Sequence, residues 1–399
     1  MMAYNFDEVI DRNNSNSISV EGFRDYVLHN DPQVALPCED DHLIKMWVAD
    51  MQFATPEVVL EAIRERLAGR ILGYTRVYDP AYFESFAAWA KTRYNWSFEQ
   101  DDLQISSGVV PALYDLVGHI CKTDEKILFV TPSYGPFKNA ADHNRRQYVC
   151  SDLLNNGGYF TIDYDDFEAK ASDEKTTLGI FCNPHNPTGR AWSEEELKTI
   201  GDICIRHNLW IISDEIHCDL LRVGRKHLPL AVVHPEYDRI ITCMAASKTF
   251  NIAGLMISNI IIPNRELKEV WRSNNSGIQN PLSVVAAQAA YARGAGWLEN
   301  LQAYLDQNFQ FTAEYLAQNL SRAVFRIPEA TYLAWIDLNS YLPGEKDLPL
   351  YFAQKAGVIL EGGSMFVDNA DGFIRLLMAC PHSVLEEGLH RICSALNHG

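Results

Sequence analysis

The sequence has no apolar run approaching the ~20 residues that cross a bilayer. It opens on a polar, acidic stretch, Met1 to Asp11, which lacks the basic start and apolar core of a secretory signal. Neither a membrane span nor an export signal is expected, and the chain reads as cytoplasmic. Positive charge is scarce: 34 Lys and Arg stand against 52 Asp and Glu, a net charge of −18 spread along the chain. That balance argues against nucleic acid and anionic membrane as partners, and solubility is enough to account for it. The nine cysteines contain no C-x-x-C spacing. A disulfide frame and a metal site are therefore not expected. Cys182, Cys243, Cys380 and Cys393 lie inside apolar runs and read as small buried hydrophobes of a reducing compartment. Internal repeats and low-complexity tracts are also missing.

What is present is an ordinary globular composition, 47% hydrophobic over 399 residues. That length is too great for one compact core, so two domains are expected. The centre of the chain alternates short β-rich runs with helical patterns. The strand candidates are 126–131, 178–183, 209–214, 240–245 and 257–263. Ser193 with Glu196 forms a capping-box signature ahead of a helix over 193–207. Such alternation predicts an α/β fold with a mostly parallel sheet covered on both faces. Beyond Pro281 come long helical patterns over 283–293 and 297–321, short strands over 332–338 and 373–378, and a last helix near 384–396. The reading is a large domain over 51–285 and a smaller α+β domain built from 286–399 with the loop-rich first 50 residues.

In open α/β sheets, ligands bind beyond the carboxyl ends of the parallel strands. Three strand candidates run there into reactive loops: Asn183-Pro184-His185-Asn186-Pro187-Thr188-Gly189, Asp214-Glu215-Ile216-His217 and Ser247-Lys248. Each has a bland reading alone, as a turn, a helix cap and a strand-end lysine. Their joint order does not. Burying an unpaired ammonium is costly, and a lysine that holds an aldehyde cofactor covalently justifies that cost. A pyridoxal phosphate site needs these groups. Lys248 binds the aldehyde, the Asp214 carboxylate keeps the pyridine nitrogen protonated, Asn186 donates to the ring hydroxyl oxygen, and His217 lies near the same oxygen. Gly108, Val109 and Val110 open a helix whose N–H groups suit a phosphate, beside the Ser247 hydroxyl. Tyr134, just after a strand, offers a face for the ring. Arg375, the one cation in the apolar strand Phe373-Ile374-Arg375-Leu376-Leu377, suits the α-carboxylate of an amino acid, and Asn186 is a second candidate for binding the substrate.

These residues resemble a family: fold-type-I pyridoxal-phosphate enzymes of the aminotransferase superfamily, and within it the MalY/PatB-type cystathionine β-lyases and cystalysin-like C–S lyases. The matching segments include Met46-Trp47-Val48-Ala49-Asp50-Met51, Gly73-Tyr74-Thr75, Asp214-Glu215-Ile216-His217, Ser247-Lys248-Thr249-Phe250-Asn251-Ile252-Ala253-Gly254 and Phe373-Ile374-Arg375. The resemblance implies an aspartate-aminotransferase-like fold, and a homodimer in which Tyr74 reaches the cofactor phosphate of the neighbouring subunit. It also implies α,β-elimination from cystathionine or cysteine S-conjugates to thiol, pyruvate and ammonia. Departures from the family pattern at Gln52, Ala246, Ala330, Val367 and Leu377 remove no cofactor ligand; those near the small-domain strand and its loop bear on substrate range. Transamination shares the same carbanion and is the main competing reading. A regulatory binding role is a further one.

Overall fold

The computed structural model describes residues 4–397. The N-terminal segment contributes one short strand, β1 (Ile44–Lys45). The centre follows with β2 (Leu103–Ser106), β3 (Lys126–Thr131), β4 (Gln147–Asp152), the hairpin β5 (Leu154–Asn156) and β6 (Tyr159–Thr161), β7 (Thr176–Cys182), β8 (Trp210–Asp214), β9 (Ile240–Met244) and β10 (Ser258–Ile261). The last third supplies β11 (Val324–Phe325), β12 (Leu333–Asp337), β13 (Val358–Ile359), β14 (Glu361–Gly362) and β15 (Phe373–Leu377).

The central seven-stranded sheet has the order β2-β10-β9-β8-β7-β3-β4. From β9 to β4 all neighbours are parallel. Strand β10 runs antiparallel to both β9 and β2. The expected mostly parallel sheet is found, and its one reversed strand is the run expected at 257–263. The parallel strands read as continuous apolar runs because both faces are covered: every residue of β9 is buried, and so is all of β7 except Thr177. Leu113, Leu116 and Phe137 cover one face; Leu197, Ile200 and Ile203 cover the other.

The helix Glu194–Arg206 starts as its sequence dictates. Ser193 accepts from Glu196 N, and the Glu196 side chain accepts from Ser193 N. The helix expected to open at Gly108, Val109 and Val110 runs over Val109–Ile120 with Gly108 at its N-cap. The long helix Ala295–Asn319 leads to a four-stranded antiparallel sheet of order β11-β12-β15-β14. Strand β1 pairs parallel with β13, so the N-terminal segment joins the C-terminal unit. That carries residues 46–50 to the carboxyl edge of the central sheet.

Candidate active site

Strands β3, β7, β8 and β9 are parallel, so their carboxyl ends lie along one edge, and each releases a polar loop there. A cavity of about 190 Å³ opens at this edge. It is lined by Gly108, Val109, Val110, Tyr134, Asn186, Asp214, His217, Ser247 and Lys248, all expected from sequence, and also by Ala49, Ser107, Pro111, Cys182, Ile216, Ala253, Met256 and Ile257.

Lys248 sits in the short helix Ala246–Thr249 that follows β9. Its Nζ donates to Ala49 O at 2.6 Å, a carbonyl that also accepts from the Tyr332 hydroxyl at 2.9 Å. Burial lowers the Lys248 pKa, and Arg375 adds to that; Asp50, Glu361 and Asp214 oppose it. Thr249 anchors the turn through Oγ1 to buried Asp219 at 3.0 Å.

Asp214 ends β8. Burial raises its pKa from 3.8 to about 7, against a hydrogen bond from Ile216 N at 3.2 Å. The adjacent Glu215 is completely buried. It accepts from Ser213 Oγ and Leu230 N, and pairs with His227 Nε2 at 2.6 Å. These contacts pin the strand end that carries Asp214. Burial, then Lys248 and Arg375, lowers the His217 pKa to about 3, so the ring is neutral near pH 7. Its Nδ1 has no hydrogen-bond partner among the described residues.

Asn186 rides on a rigid loop. His185 N and Gly189 N close the turn onto Arg190 O and His185 O, both at 2.7 Å. Gly189 has φ +70°, and a Cβ there would stand 2.2 Å from Pro328 Cβ. The Arg190 guanidinium locks the loop's exit: it pairs with Glu196 and Glu329 and lies over the Tyr159 and Trp192 rings. Asn186 Oδ1 in turn accepts from Arg375 Nη1 at 3.0 Å. Arg375 is 2% exposed, its Nη2 donates to Trp47 O at 3.1 Å, and its Nε has no partner among the described residues.

Two expected residues do not line this cavity. Arg375 adjoins it through Asn186. Tyr74 is 97% exposed, on a loop tied down where Gln279 N donates to Thr75 O. Sequence reasoning assigned no role to Glu361, which pairs with Arg375, or to the carbonyls of Trp47 and Ala49. Backbone acceptors carry no side-chain signature, and Glu361 is a lone acid in a short strand.

The donor set fits pyridoxal phosphate. Near pH 7 the buried Asp214 carboxyl suits a pyridinium, and His217, which has a buried unpartnered nitrogen, lines the same cavity. The helix Val109–Ile120 begins at Gly108 with no side chain capping its first turn, which leaves its N–H groups for an anion. The Tyr134 phenol lines the wall, and burial raises its pKa to about 12.

Comparison with known proteins agrees with this geometry. The family model for aminotransferase class I and II matches residues 41–392. The chain is 38% identical over 359 residues to cystathionine beta-lyase PatB of Bacillus subtilis (strain 168), covering 89% of this chain and 92% of that protein. The structure of a PLP-bound C–S lyase from Staphylococcus hominis, complexed with the inhibitor L-cycloserine, superposes with a TM-score of 0.96 at 52% identity, covering 99% of this chain and 98% of that one. Cystalysin from Treponema denticola, which contains pyridoxal 5′-phosphate, gives 0.92 at 32% identity over the full length of both chains.

Proposed function

The chain belongs to the aminotransferase class I and II family, and from that premise we propose that it is a pyridoxal-phosphate-dependent carbon–sulfur β-lyase. It eliminates the sulfur group from L-cystathionine or another cysteine S-conjugate to give thiol, pyruvate and ammonia. The observation that carries this reading is the convergence of Lys248, Asp214, Asn186 and Arg375 at one sheet edge, in a chain similar over nearly its whole length to C–S lyases.

Bound there, the cofactor supplies an electron sink for the pair left at Cα when its proton is removed. The rest falls to the protein's own residues. Lys248 holds the cofactor and, once released, takes the Cα proton; burial lowers its pKa and favours the neutral amine that a base requires. Asp214 would hold the ring nitrogen, Asn186 and neutral His217 the ring oxygen, and Tyr134 would offer the ring a face. Gly108, Val109, Val110 and Ser247 hold the phosphate. Arg375 and Asn186 fix the α-carboxylate. The Cα–H and Cβ–S bonds break, the sulfur leaves as thiolate, and the remaining 2-aminoacrylate hydrolyses to pyruvate and ammonia.

The same reading makes the enzyme a cytoplasmic homodimer of two-domain subunits, the large domain spanning 51–285. No helix among the described residues is long and apolar enough to cross a membrane. Ile71, Leu72, Tyr74 and Tyr78 are 73%, 55%, 97% and 82% exposed on one loop, an apolar surface that a second subunit would cover. Tyr74 of each subunit then serves the phosphate of the other.

The test is to incubate purified protein with L-cystathionine or S-methylcysteine, without any 2-oxo acid, and to follow pyruvate and free thiol. Both should appear together. Amino transfer that needs an added 2-oxo acid, with no pyruvate otherwise, overturns elimination in favour of transamination.

A further inference from the structure

Arg375 is already engaged. Strand β14 sets Glu361 directly opposite Arg375 on antiparallel β15, and the Glu361 carboxylate lies in ion-pair contact with Nη2. A guanidinium grips a carboxylate with two parallel N–H bonds along one of two edges, Nε with Nη2 or Nη1 with Nη2. Both edges include Nη2. That nitrogen also donates to Trp47 O, so a substrate carboxylate meets an occupied position whichever edge it uses. The Trp47 carbonyl is fixed in the backbone. Glu361 is a side chain, 15% exposed, with no hydrogen bond of its own among the described residues. Of the two occupants, it is the one free to leave.

We propose that Glu361 is a placeholder on the substrate anchor: it neutralises buried Arg375 in the resting enzyme, yields Nη2 to the incoming α-carboxylate, and so sets the affinity for amino-acid substrates. The inference rests on the reading of Arg375 as that anchor. It makes Glu361 a positioning and affinity-setting residue, not a participant in bond breaking. An unpaired buried guanidinium is costly, which is a reason to keep such a group.

Displacement has a proton consequence. Burial raises the Glu361 pKa, while Arg375 on β15 and Lys248 beyond β9 pull it down. The Tyr134 hydroxyl also feels this carboxylate. The helix Leu348–Ala356, packed on β14, brings Tyr351, which bonds Ala395 O, and Lys355, which is exposed. The turn Gly363–Met365 carries no titratable side chain. Once a second carboxylate occupies Arg375, the attraction that held Glu361 ionised is offset by a like charge. Glu361 then takes up a proton, and binding weakens as pH rises.

The experiment compares two ligands on the cofactor-loaded enzyme by calorimetry in buffers of different ionisation enthalpy. 2-Methylalanine carries a carboxylate and no Cα proton; tert-butylamine carries a methyl in place of that carboxylate and likewise no Cα proton. Wild-type enzyme should take up more protons with 2-methylalanine than with tert-butylamine, and Glu361→Gln should abolish the difference. In turnover, E361Q should lower KM for S-methylcysteine about tenfold at the alkaline end of a profile between about pH 6 and 9, and flatten that profile. Equal proton uptake with both ligands in the wild type overturns the proposal, whether or not the variant folds. So does a raised KM with an unchanged pH profile, which would mean that Glu361 only props Arg375. Neither ligand is turned over, so failure of the lyase reading appears in the pyruvate assay and leaves this comparison intact.

Discussion

Asp214 in the cofactor-free protein keeps a proton that the unfolded chain releases between about pH 4 and 7, because burial raises its pKa from 3.8 to about 7. The sign follows. A raised carboxyl pKa contributes stability that is complete below the unfolded value and is lost as pH rises through the folded one. A shift of that size corresponds to on the order of 4 kcal/mol. The stability of cofactor-free wild-type protein relative to Asp214→Asn should therefore fall between pH 5 and pH 8, measured by thermal unfolding of the two side by side; His185 and His217, both lowered to about 3 by burial, give an opposite slope to both proteins alike. The same variant should eliminate turnover of the loaded enzyme. A carboxylate that costs the empty fold stability is one kept for its partner. Lys248→Ala should cut kcat by at least about 10³-fold, since it loses both the covalent anchor and a general base typically worth 10²–10⁴. The check is kcat with saturating cofactor, together with loss of the protein-bound visible absorbance band.

At the scale of elements, the site depends on how strand ends and loops are held. Gly189→Ala places a methyl 2.2 Å from Pro328 Cβ at a residue with φ +70°. The loop must shift, and Asn186 with it. We expect kcat/KM to fall at least about tenfold while the fold is retained, because a small displacement of a positioning group is felt strongly in rate. Glu215→Gln removes the carboxylate that accepts from Ser213 Oγ and Leu230 N and contacts His227 Nε2, and should cost about 1–3 kcal/mol in denaturant unfolding. These elements also show what was legible in the chain. Strands β3, β7, β8 and β9 announce themselves as apolar runs, so the residues just after them, Asn186, Asp214 and Lys248, could be placed at one edge before any coordinates. Strand β2 (Leu-Gln-Ile-Ser) and half-exposed β4 carry too weak a pattern to be named. The reversed direction of β10 was not legible either, since a short buried run reads the same in both directions. Glu361 escaped because its meaning comes from register: only the β14–β15 pairing sets it against Arg375.

At the scale of the molecule, the chain leaves two apolar features uncovered. Met256 lines the cavity yet is 58% exposed, and the loop bearing Tyr74 projects its apolar side chains away from its own core. A dimer with shared sites accounts for both features and makes a quantitative demand. In each site, Lys248 would come from one subunit and Tyr74 from the other. Tyr74→Ala lacks the phosphate contact in both of its sites and should bind cofactor more weakly; Lys248→Ala lacks the anchor in both of its sites. A hybrid of the two has one site with both residues intact and one with neither. Random re-pairing of equal amounts gives half hybrids with one good site each, so about a quarter of wild-type activity should return on unfolding and refolding the mixture together. Measured at a cofactor concentration where each variant alone is nearly silent, no recovery means that Tyr74 serves its own subunit's site or none. Recovery in proportion to the hybrid fraction, resolved by charge-tagged native electrophoresis, fixes the sharing directly.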